Sequence, residues 1–263
     1  MAIAVELRHI SKRFPGVIAN KDVSIKVESG SVHALIGENG AGKSTVMKIL
    51  YGMQRPDSGE ILVNGQSVQF KKPADSIEAG IGMVHQHFML ADNFTVLENI
   101  VLGYEPSHGG VIDFNAARTK INEMAAAYGL TVDPDALVED LGVGQRQRVE
   151  ILKVLYRGAK ILIFDEPTAV LVPQEVDELF EALQGLRKDG LTVIFITHKL
   201  DEVLRVADDV TVIRAGSTVA EVKASDVSAK KLAELMVGSE LPSPEIHGSA
   251  KRAEVTLSLS KLT

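Results

Sequence analysis

Residues 37–45 read Gly-Glu-Asn-Gly-Ala-Gly-Lys-Ser-Thr, a complete G-x-x-x-x-G-K-[ST] phosphate loop. The loop constrains the fold tightly, because its chemistry needs a strand before it and a helix after it. Val32-His33-Ala34-Leu35-Ile36 is the short apolar run expected of a buried strand. Lys43 to Leu50 reads as a helix, with Val46, Ile49 and Leu50 on one face. Gly37, Gly40 and Gly42 let the backbone curl until several N–H groups point at a phosphate chain. The helix N-terminus adds its positive dipole end. Lys43 supplies a mobile positive charge for the β- and γ-phosphates, as an exposed loop lysine with little part in packing. The Ser44 hydroxyl is placed to ligate Mg²⁺. A glycine-rich turn with a chance Lys-Ser is the bland alternative, and the strand–loop–helix register argues against it.

The 263 residues suffice for one large α/β domain or two small ones. No apolar run approaches the roughly 18 residues of a membrane span. The first six residues lack a basic region and a long apolar core, so no signal peptide is expected. The absence of cysteine excludes disulfide frameworks and thiolate metal sites and fits a reducing cytoplasm. Lys and Arg total 28 against 35 Asp and Glu, a net charge of −7, which argues against a nucleic-acid partner.

Val5 to Ile10 alternates as a strand does, and Asp22 to Val27 is another β-type run. Glu60–Val63 and Gln66–Phe70 flank Asn64-Gly65, a strong hairpin signal, so an antiparallel layer lies beside the loop. Ser76–Ala79 is a short helix candidate, and Ile81–His85 a strand candidate. From about 94 to 157 helical spacing dominates, over Asn115–Tyr128 and Gly144–Tyr156, with no strong strand between. This reads as a helical insert, about residues 87–157. Beyond it Ile161–Phe164, Leu191–Ile196 and Val210–Ile213 are β-type runs, separated by helical stretches at Gln174–Asp189 and Lys199–Ala207. Such alternation predicts parallel βαβ units, with the phosphate loop at the carboxyl edge of the sheet.

Residues 238–254 read as a Pro/Gly/Ser linker. Val255–Leu262 echoes Val5 to Lys12, which carries the expectation that a second copy of the domain begins near 255.

Ile161-Leu162-Ile163-Phe164 ends in Asp165-Glu166, a buried strand closing on two acids. Asp165 suits an Mg²⁺ contact and Glu166 suits a general base that takes a proton from attacking water. The alternative is plain strand-end solvation, which the neighbouring phosphate loop disfavours. His198 closes the next apolar strand, and Gln86 follows the 81–85 strand. Each reads either as a structural side chain or as a group that reaches a γ-phosphate.

The phosphate loop, Gln86, Leu141-Gly142-Val143-Gly144-Gln145, Asp165-Glu166 and His198 stand in the order of an ATP-binding cassette (ABC) ATPase, which residues 3–237 resemble. Residues 82–90, 145–159 and 165–171 resemble the simple-sugar and nucleoside importer branch, whose members fuse two cassettes in one chain. The implied fold is a RecA-like P-loop α/β core with a parallel sheet, an antiparallel β subdomain and a helical insert, the cassette spanning 1–237. The resemblance implies that Phe14 stacks on adenine. Gly37, Asn39, Gly40, Gly42, Lys43, Ser44 and Thr45 would cradle the triphosphate. Ser44, Gln86 and Asp165 would meet Mg²⁺, Glu166 would be the base and His198 the γ-phosphate sensor. Residues Leu141, Gly142, Val143, Gly144 and Gln145 would cap the ATP held by a partner cassette. Two positions depart from the pattern. Gly142 replaces a serine whose hydroxyl meets the partner's γ-phosphate, and Val172 replaces an Asp that speaks across the dimer.

The implied activity is ATP hydrolysis that drives a small-solute importer at the cytoplasmic face of the membrane. The implied cofactors are ATP and Mg²⁺. The implied partners are a second cassette, permease subunits and, indirectly, an extracytoplasmic binding protein. A soluble ABC ATPase acting on ribosomes or DNA is the alternative; the short linker, in place of a long charged helix, disfavours it. A P-loop kinase or GTPase has no use for residues 141–145 or His198. Residues 86–105, with Phe88, Met89, Leu90, Phe94 and Val96 as apolar anchors, are the expected docking surface for the membrane subunits.

Overall fold

The computed structural model describes residues 2–108 and 111–239. β1 (Ile3–Phe14) and β2 (Val17–Glu28) pair antiparallel over most of their length. β3 (Val32–Ile36) runs through the phosphate loop into α1 (Lys43–Leu50). β4 (Ser58–Val63) and β5 (Gln66–Val68) form the hairpin around Asn64 and Gly65, which both take positive φ (51° and 78°), as a tight primed turn requires. α2 (Pro73–Glu78) and β6 (Ile81–Val84) follow.

Helices then dominate: α3 (Val96–Val101), the two-residue hairpin strands β7 (Ser107–His108) and β8 (Val111–Ile112), α4 (Phe114–Tyr128) and α5 (Val143–Tyr156). The remainder alternates: β9 (Ile161–Asp165), α6 (Pro173–Lys188), β10 (Thr192–Thr197), α7 (Leu200–Val206), β11 (Asp209–Arg214), β12 (Ser217–Lys223) and α8 (Ala229–Val237).

The strands build a core sheet in the order β12-β11-β3-β10-β9-β6 and an antiparallel layer in the order β2-β1-β4-β5. Within the core sheet every pairing is parallel except that of β12 with β11. β3, β9 and β10 are buried at every position, and their alternate residues serve different cores. Ile161, Ile163, Ile194 and Ile196 pack with α1 and the antiparallel layer. Leu162, Phe164, Val193 and Phe195 pack with α3, α4, α5 and α6. A continuous apolar run thus satisfies two faces at once, as in any sheet covered on both sides. The α/β architecture read from the sequence, with parallel core, antiparallel layer and helical segment, is the one observed.

β12 and α8 were not anticipated: β12 is an edge strand with exposed alternate positions, so its apolar signal is weak. α8 is announced only by Ser228, whose side chain accepts from Lys231 N–H, and by Gly238 with φ 85°. A short β7–β8 hairpin lies where no strand was expected. Val96, expected as a docking anchor, is fully buried in the core between helices and sheet, and Leu90 packs partly against the same core. Met89 is exposed. Most of the expected linker at 238–254, and the whole of the β-type run after it, lie outside the described residues.

Candidate functional site

The phosphate loop folds as its glycines require. Gly42 caps α1 with φ 103°, and a Cβ there would strike the Ala19 carbonyl and the Asn20 amide. Gly37 sits against the Ile213 carbonyl with no room for a side chain. Asn20, fully buried, donates from Nδ2 to the Gly42 carbonyl at 3.1 Å and so fixes the peptide where the helix begins. Asn20 was not singled out in the sequence. Its only signal there was a polar side chain just ahead of an apolar strand.

Lys43 does not behave as an exposed loop lysine. It is 5% exposed, and its Nζ donates to the carbonyls of Gly37 at 2.7 Å and Glu38 at 3.0 Å. Burial holds its pKa below the ordinary lysine value, while the charges of Glu166 and Asp165 act the other way. The ammonium is therefore folded over its own loop, within reach of two carbonyls that a phosphate would replace.

The carboxyl end of the parallel sheet supplies the other groups. Asp165 ends β9, and Ser44 Oγ donates to its Oδ1 at 3.2 Å. Burial raises the Asp165 carboxyl above the usual carboxylate range, opposed by the Ser44 hydrogen bond and assisted by the neighbouring Glu166 charge. Glu166 takes a left-handed conformation, φ 48°, and its N–H donates to the Ile196 carbonyl at 3.0 Å. Its Oε1 lies 3.2 Å from Nδ1 of His198, just beyond β10. An open cleft of about 600 Å³ is lined by Phe14, Asn39, Gly40, Gly42, Lys43, Ser44, Thr45, Gln86 and Glu166, among others. Phe14 and Gln86, distant in sequence, thus border one space. A smaller hollow of about 270 Å³ beside β4 and β5 contains no phosphate-loop residue.

The hard oxygens of Ser44 and Asp165 suit Mg²⁺. Among the described residues, no three His, Asp or Glu side chains converge as a metal cage would require. The pair fits an ion that would bring phosphate and water ligands of its own.

Residues 141–145 stand apart from this cleft. Gly142 is the N-cap of α5, and its N–H donates to Gln145 Oε1 at 3.1 Å. Leu141 is half-buried, Val143 and Gln145 are exposed, and Gly144 is buried against the Glu175 side chain. Buried Gln147, one turn on, donates from Nε2 to the Pro167 carbonyl at 3.0 Å, tying α5 to the segment after Glu166. Val170 and Val172 are exposed as well.

Residues 20–169 match the ABC transporter family. The chain is 49% identical over 258 residues to the nucleoside import ATP-binding protein NupA of Lactococcus lactis subsp. cremoris, covering 98% of this chain and 51% of that protein. It is 47% identical to the guanosine import ATP-binding protein NupO of Bacillus subtilis, over 92% of this chain and 47% of that one. It is 48% identical to the glucose import ATP-binding protein TsgD13 of Haloferax volcanii, over 90% and 48% respectively. The chain spans about half the length of these relatives. Among solved structures, the ADP conformation of MJ1267, an ATP-binding cassette of an ABC transporter, superposes with a TM-score of 0.78 at 27% identity, covering 91% of this chain and all of that one. The cassette cbiO1 of Clostridium perfringens, part of the ABC transporter complex cbiONQ, gives 0.75 at 26% identity, over 89% and 93%.

Proposed function

The chain belongs to the ABC transporter family of ATP-binding cassettes, and from that premise we propose that it binds MgATP in the cleft over Lys43 and hydrolyses it to energise import of a nucleoside or simple sugar. The observation that carries this reading is the convergence of Lys43, Ser44 and Glu166 on one cleft at the carboxyl edge of a parallel sheet, with Asp165 bonded to Ser44 beside it. Phe14 would stack on adenine, and residues 37–45 would hold the triphosphate through backbone N–H groups and Lys43. Bound Mg²⁺ would neutralise charge between the phosphates. Glu166, oriented by its left-handed backbone and by His198, would take the proton of an in-line water, so that catalysis is mostly positioning and charge neutralisation.

A second cassette would close head-to-tail on this one, with Gly142 and its neighbours facing the other ATP; the Val255–Leu262 echo supports a second cassette in the same polypeptide. Permease subunits would dock near the 86–105 segment, with a binding protein delivering solute outside, and the assembly would sit at the cytoplasmic face of the membrane. The solute class is supported by relatives named for nucleoside, guanosine and glucose import. The test is Mg²⁺-dependent phosphate release by the purified full protein. Release of free phosphate only is expected, stimulated in permease-containing vesicles; transfer of label to an acceptor would overturn the reading in favour of a kinase.

A further inference from the structure

The segment from Gln86 to Asp92 belongs to no helix or strand, yet its backbone is held by side chains at two points. Met89 N–H donates to Glu150 Oε1 at 2.5 Å, and Met89 C=O accepts from Lys153 Nζ at 2.8 Å. Both holding residues sit on α5, three positions apart and therefore on one face. Two residues on, Ala91 N–H donates to Asn99 Oδ1 at 2.8 Å, and Asn99 Nδ2 returns a bond to the Ala91 carbonyl at 3.0 Å. Arg146, also on α5, donates to Asp92 Oδ1 at 2.7 Å.

Glu150 is 2% exposed and lies among Val149, Ile151 and Leu152, where an acid is costly unless it holds something. Burial raises its carboxyl above the ordinary range, opposed by Lys153, the Met89 N–H and Arg157. What it holds is a single main-chain N–H, in a charge-assisted hydrogen bond. α5 begins at Gly142, eight residues earlier, and a helix of that length is a rigid rod of about 12 Å. Only His87 and Phe88 separate Gln86, at the cleft, from the gripped peptide.

We propose that Glu150 and Lys153 are positioning residues that clasp the Met89 peptide, so that the Gln86 loop and the Gly142 end of α5 move as one body. This rests on the reading of the cleft as an ATP site. Nucleotide occupancy at Lys43 would then be felt at residues 142–147, the end that faces the partner's nucleotide, through two side chains and two loop residues.

The experiment is hydrogen exchange on the full protein, with and without MgATP, in the parent, Glu150→Ala, Glu150→Gln and Lys153→Met. ATP affinity is measured separately on each. In the parent, MgATP is expected to slow exchange in both 86–92 and 142–149. In Glu150→Ala the 86–92 segment should exchange about tenfold faster, the loss expected for one charge-assisted hydrogen bond, and 142–149 should no longer respond. Glu150→Gln keeps an acceptor oxygen and should restore the coupled response. Lys153→Met removes the other half of the clasp from a half-buried position whose stem methionine refills, and should give a partial loss even if Glu150→Ala folds poorly. The KM for ATP should stay within about twofold while kcat falls, because the phosphate loop is untouched. A normal response at 142–149 in both Glu150→Ala and Lys153→Met overturns the clasp. So does a parent that binds ATP with no response at 142–149. Absence of ATP binding in the parent overturns the ATP-site reading, and the clasp with it.

Discussion

Ser44 and Asp165 are 121 residues apart in sequence, and the Ser44 hydroxyl donates to Asp165 Oδ1 at 3.2 Å. The contact crosses from the start of α1 to the end of β9, strands β3 and β9 being separated only by β10. It brings two hard oxygens together beside the cleft, and the carboxylate is buried with no ion pair among the described residues.

Burial makes that carboxylate costly to ionise. Asp165→Asn keeps an oxygen that accepts from Ser44 and removes the buried charge. We expect a Tm higher by about 2–4 °C, the size a change on the order of 1 kcal/mol produces in a domain of this length. Mg²⁺-dependent ATP hydrolysis should be lost. Calorimetry beside an ATPase assay measures both; a lower Tm would show that the carboxylate is stabilising.

Glu166→Gln should bind ATP as the parent does and turn over about 10²–10⁴-fold more slowly, the usual loss for a general base. The amide keeps the side-chain shape and the contact with His198. Turnover near the parent rate would remove Glu166 from the role of base.

Lys43→Met should abolish most ATP affinity with little change in Tm. The methionine stem refills the buried path of the lysine stem, and the ammonium that contacts the Gly37 and Glu38 carbonyls is lost. Titration calorimetry checks the first outcome and thermal melting the second. Unchanged affinity would remove Lys43 from the phosphate site.

Gly142→Ser has room, since a Cβ would meet only Gln145 Oε1, at 3.7 Å. Serine is a slightly better N-cap than glycine, so Tm should rise by a few tenths of a kcal/mol equivalent, about 1 °C. In the full assembly a restored hydroxyl should also raise ATPase activity about tenfold at the composite site, the worth of one hydrogen bond to a charged phosphate. A higher Tm with flat activity would leave only the capping effect.

His33 gives the pH dependence. It is buried on β3, with Nε2 2.8 Å from Thr211 Oγ1, and burial lowers its pKa from 6.5 to about 4, with Asp209 opposing and Lys223 assisting. The unfolded chain therefore takes up a proton that the folded protein refuses. Stability should fall as pH drops from about 6.5 to about 4, by roughly 3 kcal/mol from this group alone. Urea midpoints across that range should slope less in His33→Gln; parallel slopes would place the acid sensitivity elsewhere.

The readable parts of the sequence were those whose signal is local. β3, β9 and β10 are continuous apolar runs because both faces are covered, and the phosphate loop carries its own glycines. Asp165 and Glu166 stood out because acids at the end of such a run need a reason. β12 escaped notice because an edge strand shows half its residues to water. Val96 looked like a surface anchor because nothing local says that α3 turns that face inward. The grip of Glu150 and Lys153 on Met89 joins residues more than sixty positions apart, and only an acid inside the apolar stripe of α5 hinted at it.

The left-handed turn at Glu166 has a consequence for how two neighbouring acids share one task. Along a regular strand, consecutive side chains leave on opposite faces, so Asp165 and Glu166 would be divided between two cores. The positive φ at Glu166 ends that alternation one residue after the ladder pairs Asp165 with Ile196. Glu166 then lines the cleft, while Asp165 accepts from Ser44, which lines the same cleft. The spacing between the two acids is thereby set by a single backbone torsion, and an inserted or deleted residue in β9 would hand one of them to the hydrophobic interior.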